Sequence, residues 1–200
     1  GFSGSDTFGA DANWHVMRLD VSAGGGGSVT KVWNAAALGP ASVDANWLPS
    51  GKPQNGDYVV FGPPGTSVGC NWDLNVALSS LTVRPGYVGA LNFNSQLTVN
   101  GPLEVLGNAG MNFSVQLLNR HVLNGPITIN NPSAQFSVAG TTLVAVGSFT
   151  VTSGELRIRG GALFQGTTFF SQSGTTVTVM PDLGYPAPII TSTSPVNYLN

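Results

Sequence analysis

The chain has 200 residues, 8% of them charged and 42% hydrophobic, with a formal net charge of −2. That is enough chain for one domain, and too apolar and too weakly charged for a disordered one. Its seven scattered Lys and Arg exclude the basic footprint of a nucleic-acid or anionic-membrane binder, and no run of about 18 apolar residues offers a transmembrane helix.

Gly1 to Ser28 is a prefix with one strand-like alternation, from Val16 to Val21, preceded by Trp14. It closes on Gly24-Gly25-Gly26-Gly27-Ser28, the composition of a flexible linker. No G-x-G-x-x-G pattern opens a helix there, so it is not a phosphate loop. The N-terminus lacks the charged and apolar regions of a signal peptide. A secreted protein with this start has lost its leader, or the stretch is internal. The prefix reads as an arm that packs on this domain or on a neighbouring copy.

Val29 to Phe61 carries its own punctuation: Trp33-Asn34, Asn46-Trp47, Pro49, Pro53 and Gly56-Asp57, then the strand Tyr58-Val59-Val60-Phe61. Trp33 and Trp47 are large enough to plug the open end of an apolar column. A second use of such residues is an exposed aromatic platform that stacks on sugar rings, built from Trp14, Trp47 and Trp72. Cys70 is alone, so no internal disulfide forms, and a small buried apolar role suits it.

From Leu81 to Val179 a short phrase recurs. Its apolar heads are Leu81, Leu103, Ile127, Phe149 and Phe169, separated by 22, 24, 22 and 20 residues. A second phrase follows each head (Ala90-Leu91-Asn92-Phe93, Met111-Asn112-Phe113, Gln135 to Val138, Glu155 to Ile158, Thr176 to Val179), and a third comes later in the period (Leu97 to Val99, Val122-Leu123, Leu143 to Val146, Ala162 to Phe164). Each phrase alternates with the period of a strand. Gly, Asn, Ser and Pro separate them as turn formers. A drifting period near 22 with three short strands per turn predicts a solenoid of about five to seven coils. Leu81, Leu103, Ile127 and Phe149 should stack into one apolar column, with Thr82, Glu104, Thr128 and Thr150 outside.

The order Trp33-Asn34, Asn46-Trp47, Gly56-Asp57, Val59-Val60-Phe61 and Leu81-Thr82-Val83, then Gly-punctuated coils, resembles the opening of bacterial autotransporter-type and surface-repeat β-helices. It is also similar to the extracellular G8 domain. The resemblance spans roughly Val29 to Val179. It implies an all-β, right-handed parallel β-helix in an extracellular or cell-surface protein, and it implies no reaction.

Pro181 to Asn200 contains Pro181, Pro186, Pro188 and Pro195, which remove ladder donors. It reads as an extended arm or linker. The expected organisation is therefore an arm over 1–28, the β-helix over 29–180 and a second arm over 181–200.

Glycoside cleavage needs two carboxylates across the scissile bond. Asp73, Glu104 and Glu155, with Asp182 beyond them, lie on separate phrases and do not converge. Glu155, Arg157 and Arg159 share one strand face and read as a solvated charged patch. His15 and His121 have no Cys or acidic neighbours at ligand spacing, so no metal centre is expected. There is no Ca²⁺ loop and no G-x-S-x-G elbow. Asn112-Phe113-Ser114 matches the N-glycosylation pattern. The threonine column suggests ice binding only weakly, because Glu104 and Phe170 interrupt it.

The sequence thus points away from an enzyme, with no catalytic residues, no cofactor and no metal. It points to an extracellular structural protein: a subunit of a filament, fibre, spike or surface layer that assembles with copies of itself, or with adjoining domains, through its terminal arms and solenoid ends. The alternative is an adhesin or carbohydrate-binding module of a larger secreted protein. A polysaccharide-active enzyme comes third.

Overall fold

Short alternating segments separated by turn residues can bury their apolar sides only by stacking on one another. The computed structural model describes residues 28–63, 67–114, 120–171, 175–180, 186–192 and 197–198, and shows how they do so. The first coil holds β1 (Thr30–Trp33), β2 (Gly39–Pro40) and β3 (Trp47–Leu48). The second holds β4 (Tyr58–Phe61), β5 (Cys70–Trp72) and β6 (Ala77–Leu78), and the third β7 (Ser80–Val83), β8 (Ala90–Phe93) and β9 (Thr98–Val99). Next come β10 (Leu103–Val105), β11 (Gly110–Ser114) and β12 (Arg120–Leu123). Beyond them the chain stays hydrogen-bonded around its corners as β13 (Ile127–Ala139), β14 (Thr142–Arg159) and β15 (Leu163–Ser171). It ends with β16 (Thr176–Met180), β17 (Ile189–Ser192) and β18 (Asn197–Tyr198).

The strands form three parallel faces. On the first, β1, β4, β7, β10 and the start of β13 pair in turn, followed by the middle of β14, the end of β15, and β18. On the second, β2, β5, β8 and β11 lead to the end of β13, the end of β14, and β16. On the third, β6, β9 and β12 lead to the starts of β14 and β15, and then β17. This is a β-solenoid of stacked coils of about 22 residues.

The expected apolar column is present. Leu81, Leu103, Ile127 and Phe149 are partners in successive strands and wholly buried. Val83, Val105, Ile129 and Val151 form a second column two residues on, because inward residues recur at a period of two. Thr82, Glu104, Thr128 and Thr150 align on the outer side.

Where the sequence suggested an extended arm or linker, the C-terminal segment adds strands to the solenoid. β17 pairs in register with the start of β15, Leu163 opposite Ile189 and Phe164 opposite Ile190, and β18 pairs with its end. The prolines do not prevent this, because Pro186 and Pro188 lie in the excursion between β16 and β17, outside the ladder. The Gly161 amide donates to the Pro186 carbonyl at 2.7 Å and fastens that excursion to the coil below. The N-terminal arm expected over 1–28 lies outside the described residues, apart from Ser28.

Candidate functional site

A filled solenoid offers three kinds of surface: its two ends, its flat faces and its corners. The N-terminal end is closed by aromatic residues. β3 runs antiparallel along β1, which places Trp47 opposite Trp33. The two rings meet edge to face at 5.0 Å, Trp47 reaches Trp72 at 6.4 Å, and Phe61 lies 6.0 Å from both Trp33 and Trp47. Trp33 Nε1 donates to the Val68 carbonyl at 3.0 Å and Trp47 Nε1 to the Ala41 carbonyl at 2.7 Å. Lys31 takes the column position beside Val59, and its ammonium donates to the Pro49 and Ser50 carbonyls at 3.2 Å each. The lysine therefore ties the segment after β3 over the core.

This arrangement overturns the sugar-stacking platform. Trp47 and Trp72 are buried in the plug and present no ring face to solvent. The Trp47 indole, with its N–H spent on the Ala41 carbonyl and packed among other rings, serves the core. Trp14 lies outside the described residues.

The opposite end is open among the described residues. β16 pairs only with β14, while β17 and β18 pair only with β15, so each has one free edge there. Val179 continues the register of buried Ile158, and Ile190 continues that of Leu143 through Phe164. Ile158 and Leu143 are 1% and 0% exposed, whereas Val179 and Ile190 are 49% and 40% exposed. These are core positions with no coil above them among the described residues. Ile189 at the same end is also exposed, and the first coil exposes Val29, Leu38, Val43 and Leu48.

The second face carries a polar ladder. Asn92 Nδ2 donates to Asn71 Oδ1 at 2.9 Å, and Asn112 Nδ2 donates to Asn92 Oδ1 at 3.1 Å. Asn112, the candidate glycosylation residue, is half-buried, and its amide nitrogen is engaged in this ladder. The row continues through Ser137, Arg157 and Thr178. Glu155 accepts from Arg157 at 2.7 Å and from Thr178 at 2.9 Å, and Arg157 also donates to Gln135 at 3.2 Å. The Arg157 hydrogen bond holds the Glu155 carboxyl below the usual carboxylate range. The expected charged patch is thus a knitted row rather than free charges.

The remaining acids serve turns or solvent. Asp57 is buried and accepts from the Val29 and Gln54 amides at 2.9 and 2.8 Å. Asp73 accepts from the Ser42 amide and hydroxyl at 2.9 and 2.6 Å. Glu104 is exposed on the first face, and Asp182 lies outside the described residues. Cys70 is buried, and desolvation pushes its thiol up. His121 is wholly buried in β12, and its Nδ1 accepts from the Leu97 amide at 3.2 Å. Desolvation lowers its pKa to about 4. Among the described residues no three His, Cys, Asp or Glu group as a metal site, and no helix is long and apolar enough to cross a membrane.

Sequence reasoning took the solenoid ends as the joining surfaces but did not place β17 and β18 on the last coil, because prolines masked the continuing period. Ile189 follows its partner Leu163 by 26 residues, within reach of one long coil. The Asn ladder was readable, since Asn71, Asn92 and Asn112 recur at 21 and 20 residues. No protein-family model, curated protein or solved structure matches this chain.

Proposed function

We propose that the chain is an extracellular structural protein, a subunit of a filament, fibre, spike or surface layer joined through its solenoid ends, and not an enzyme. The observation that carries this reading is the unsealed core at Val179 and Ile190, beside three strands with free edges among the described residues. Unpaired edges template further strands, and proteins that avoid this cover or charge them. Contact between this end and the first coil of a second copy, with its exposed Leu38, Val43 and Leu48, is heterologous and propagates. The neutral polar faces suit an extracellular surface, as does the resemblance to autotransporter-type β-helices and the G8 domain. The glycan-binding alternative has lost Trp47 and Trp72 as its platform.

The test is negative-stain electron microscopy of three proteins: the full chain, the chain lacking residues 1–27, and the full chain with Val179→Glu and Ile190→Glu. Assemblies longer than one unit in the first two, lost in the third, support joining through the open end. Single short rods from all three at high concentration sink the assembly reading. Assemblies lost only on removing residues 1–27 move the joint to the prefix.

A further inference from the structure

His121 occupies a position that the neighbouring coils fill with leucine. In the third face its register partners are Leu143 above and, one residue before β9, Leu97 below. All three side chains are wholly buried. The imidazole does what leucine cannot, since its Nδ1 accepts the Leu97 N–H of the coil beneath at 3.2 Å. The reciprocal bond runs from the Val122 amide to the Leu97 carbonyl at 2.9 Å. Two adjacent coils are therefore joined by a side chain where the ladder alone leaves the Leu97 amide to be satisfied. An Nδ1 that accepts carries no proton, so the ring is neutral.

We propose that His121 is an acid-sensitive latch between the coil of β9 and the coil of β12, and that its protonation opens the solenoid locally at β12. A proton on Nδ1 turns the acceptor into a donor facing the Leu97 N–H. It also places a cation among apolar side chains. β9 and its lead-in 94–97, the start of β14 (142–145), and the inward residues of β10, β11 and β13 include no titratable side chain. Arg120, next to His121, is exposed, and Glu104 points out from β10.

The direction follows from linkage. The unfolded imidazole titrates near 6.5 and the folded one near 4. The contribution is complete above the unfolded value, is lost as pH falls from 6.5 towards 4, and levels off below. Opening the coil should become roughly 50- to 100-fold more favourable between about pH 7.5 and 4.5.

The experiment is hydrogen exchange of the full chain at both pH values, corrected for intrinsic rates, beside His121→Leu and His121→Gln. Protection of the Leu97, Val122 and Asn124 amides should fall by that factor in the wild type. It should stay within about threefold in either variant, while the Val59–Phe61 amides change alike in all three. Equal loss in wild type and variants overturns the latch. If neither variant folds, NMR titration of the wild-type imidazole decides: a midpoint near 4 supports the latch and one near 6.5 overturns it.

Discussion

A tryptophan near a chain end can stack on a ligand or seal a core, and residue type alone does not say which. Here the choice is made by two backbone carbonyls, of Val68 and Ala41, that take the indole N–H groups of Trp33 and Trp47. Trp47→Ala should therefore behave as a core truncation. It removes the ring that links Trp33, Phe61 and Trp72, and should cost about 3–5 kcal/mol of unfolding free energy. Urea denaturation followed by far-UV circular dichroism measures it. A loss below about 1 kcal/mol would mean that the ring is not buried in solution. The plug of Trp33 and Trp47 was legible because terminal repeats are atypical, although Trp47 also had a reading as part of a sugar-stacking platform. Lys31 was not legible as its tether. Its partners are main-chain carbonyls 18 and 19 residues on, and those leave no mark in sequence.

At the scale of the element, the corners explain why the coils keep their spacing. Gly101, Gly125 and Gly147 stack at the turn before the first face. A Cβ on Gly125 would overlap the carbonyl of Gly101, and one on Gly147 the carbonyl of Gly125. Main chain rests on main chain there, so only glycine lets the coils approach at ladder spacing. Gly110, on the second face, has nothing within 4 Å of the same added atom. Gly125→Ala should cost about 1–3 kcal/mol through forced backbone shifts, whereas Gly110→Ala should stay within about 0.5 kcal/mol. Paired thermal melts of the two variants check this, and equal melting temperatures would contradict the corner stack. The repeat was readable because column positions recur at 22 and 24 residues in the strictest coils. Strand ends were less so. β13 and β14 run 13 and 18 residues through corners that look like breaks, because turn residues there still exchange bonds with neighbouring coils. The strands of the C-terminal segment were not legible for the related reason that proline forbids a ladder position but not a loop between two ladders.

At the scale of the molecule, a solenoid has no fixed length of its own, since each coil offers the next a template. Strand addition stops at an end that presents no free ladder edge, although apolar side chains there can still meet another copy. The first coil is such an end on the first face: β3 crosses β1 antiparallel, and the rings of Trp33 and Trp47 fill the column beneath. The last coil is not, among the described residues. Val179 and Ile190 keep about half of their surface where equivalent residues keep none. Covering them should return on the order of 1 kcal/mol each, before any strand edge is paired. Self-association through this end binds the folded form and not the unfolded one, so the apparent melting temperature should rise with protein concentration. A rise of a few degrees over a hundredfold concentration range is expected for the wild type, and none for the Val179→Glu and Ile190→Glu double variant. The double variant should melt at the wild-type temperature when both are dilute, because the replaced side chains are already half in water. A flat wild-type profile would separate the open end from self-association and leave it as the seat of a different strand. A drop in the dilute double variant would show that the two residues already support the last coil within one chain.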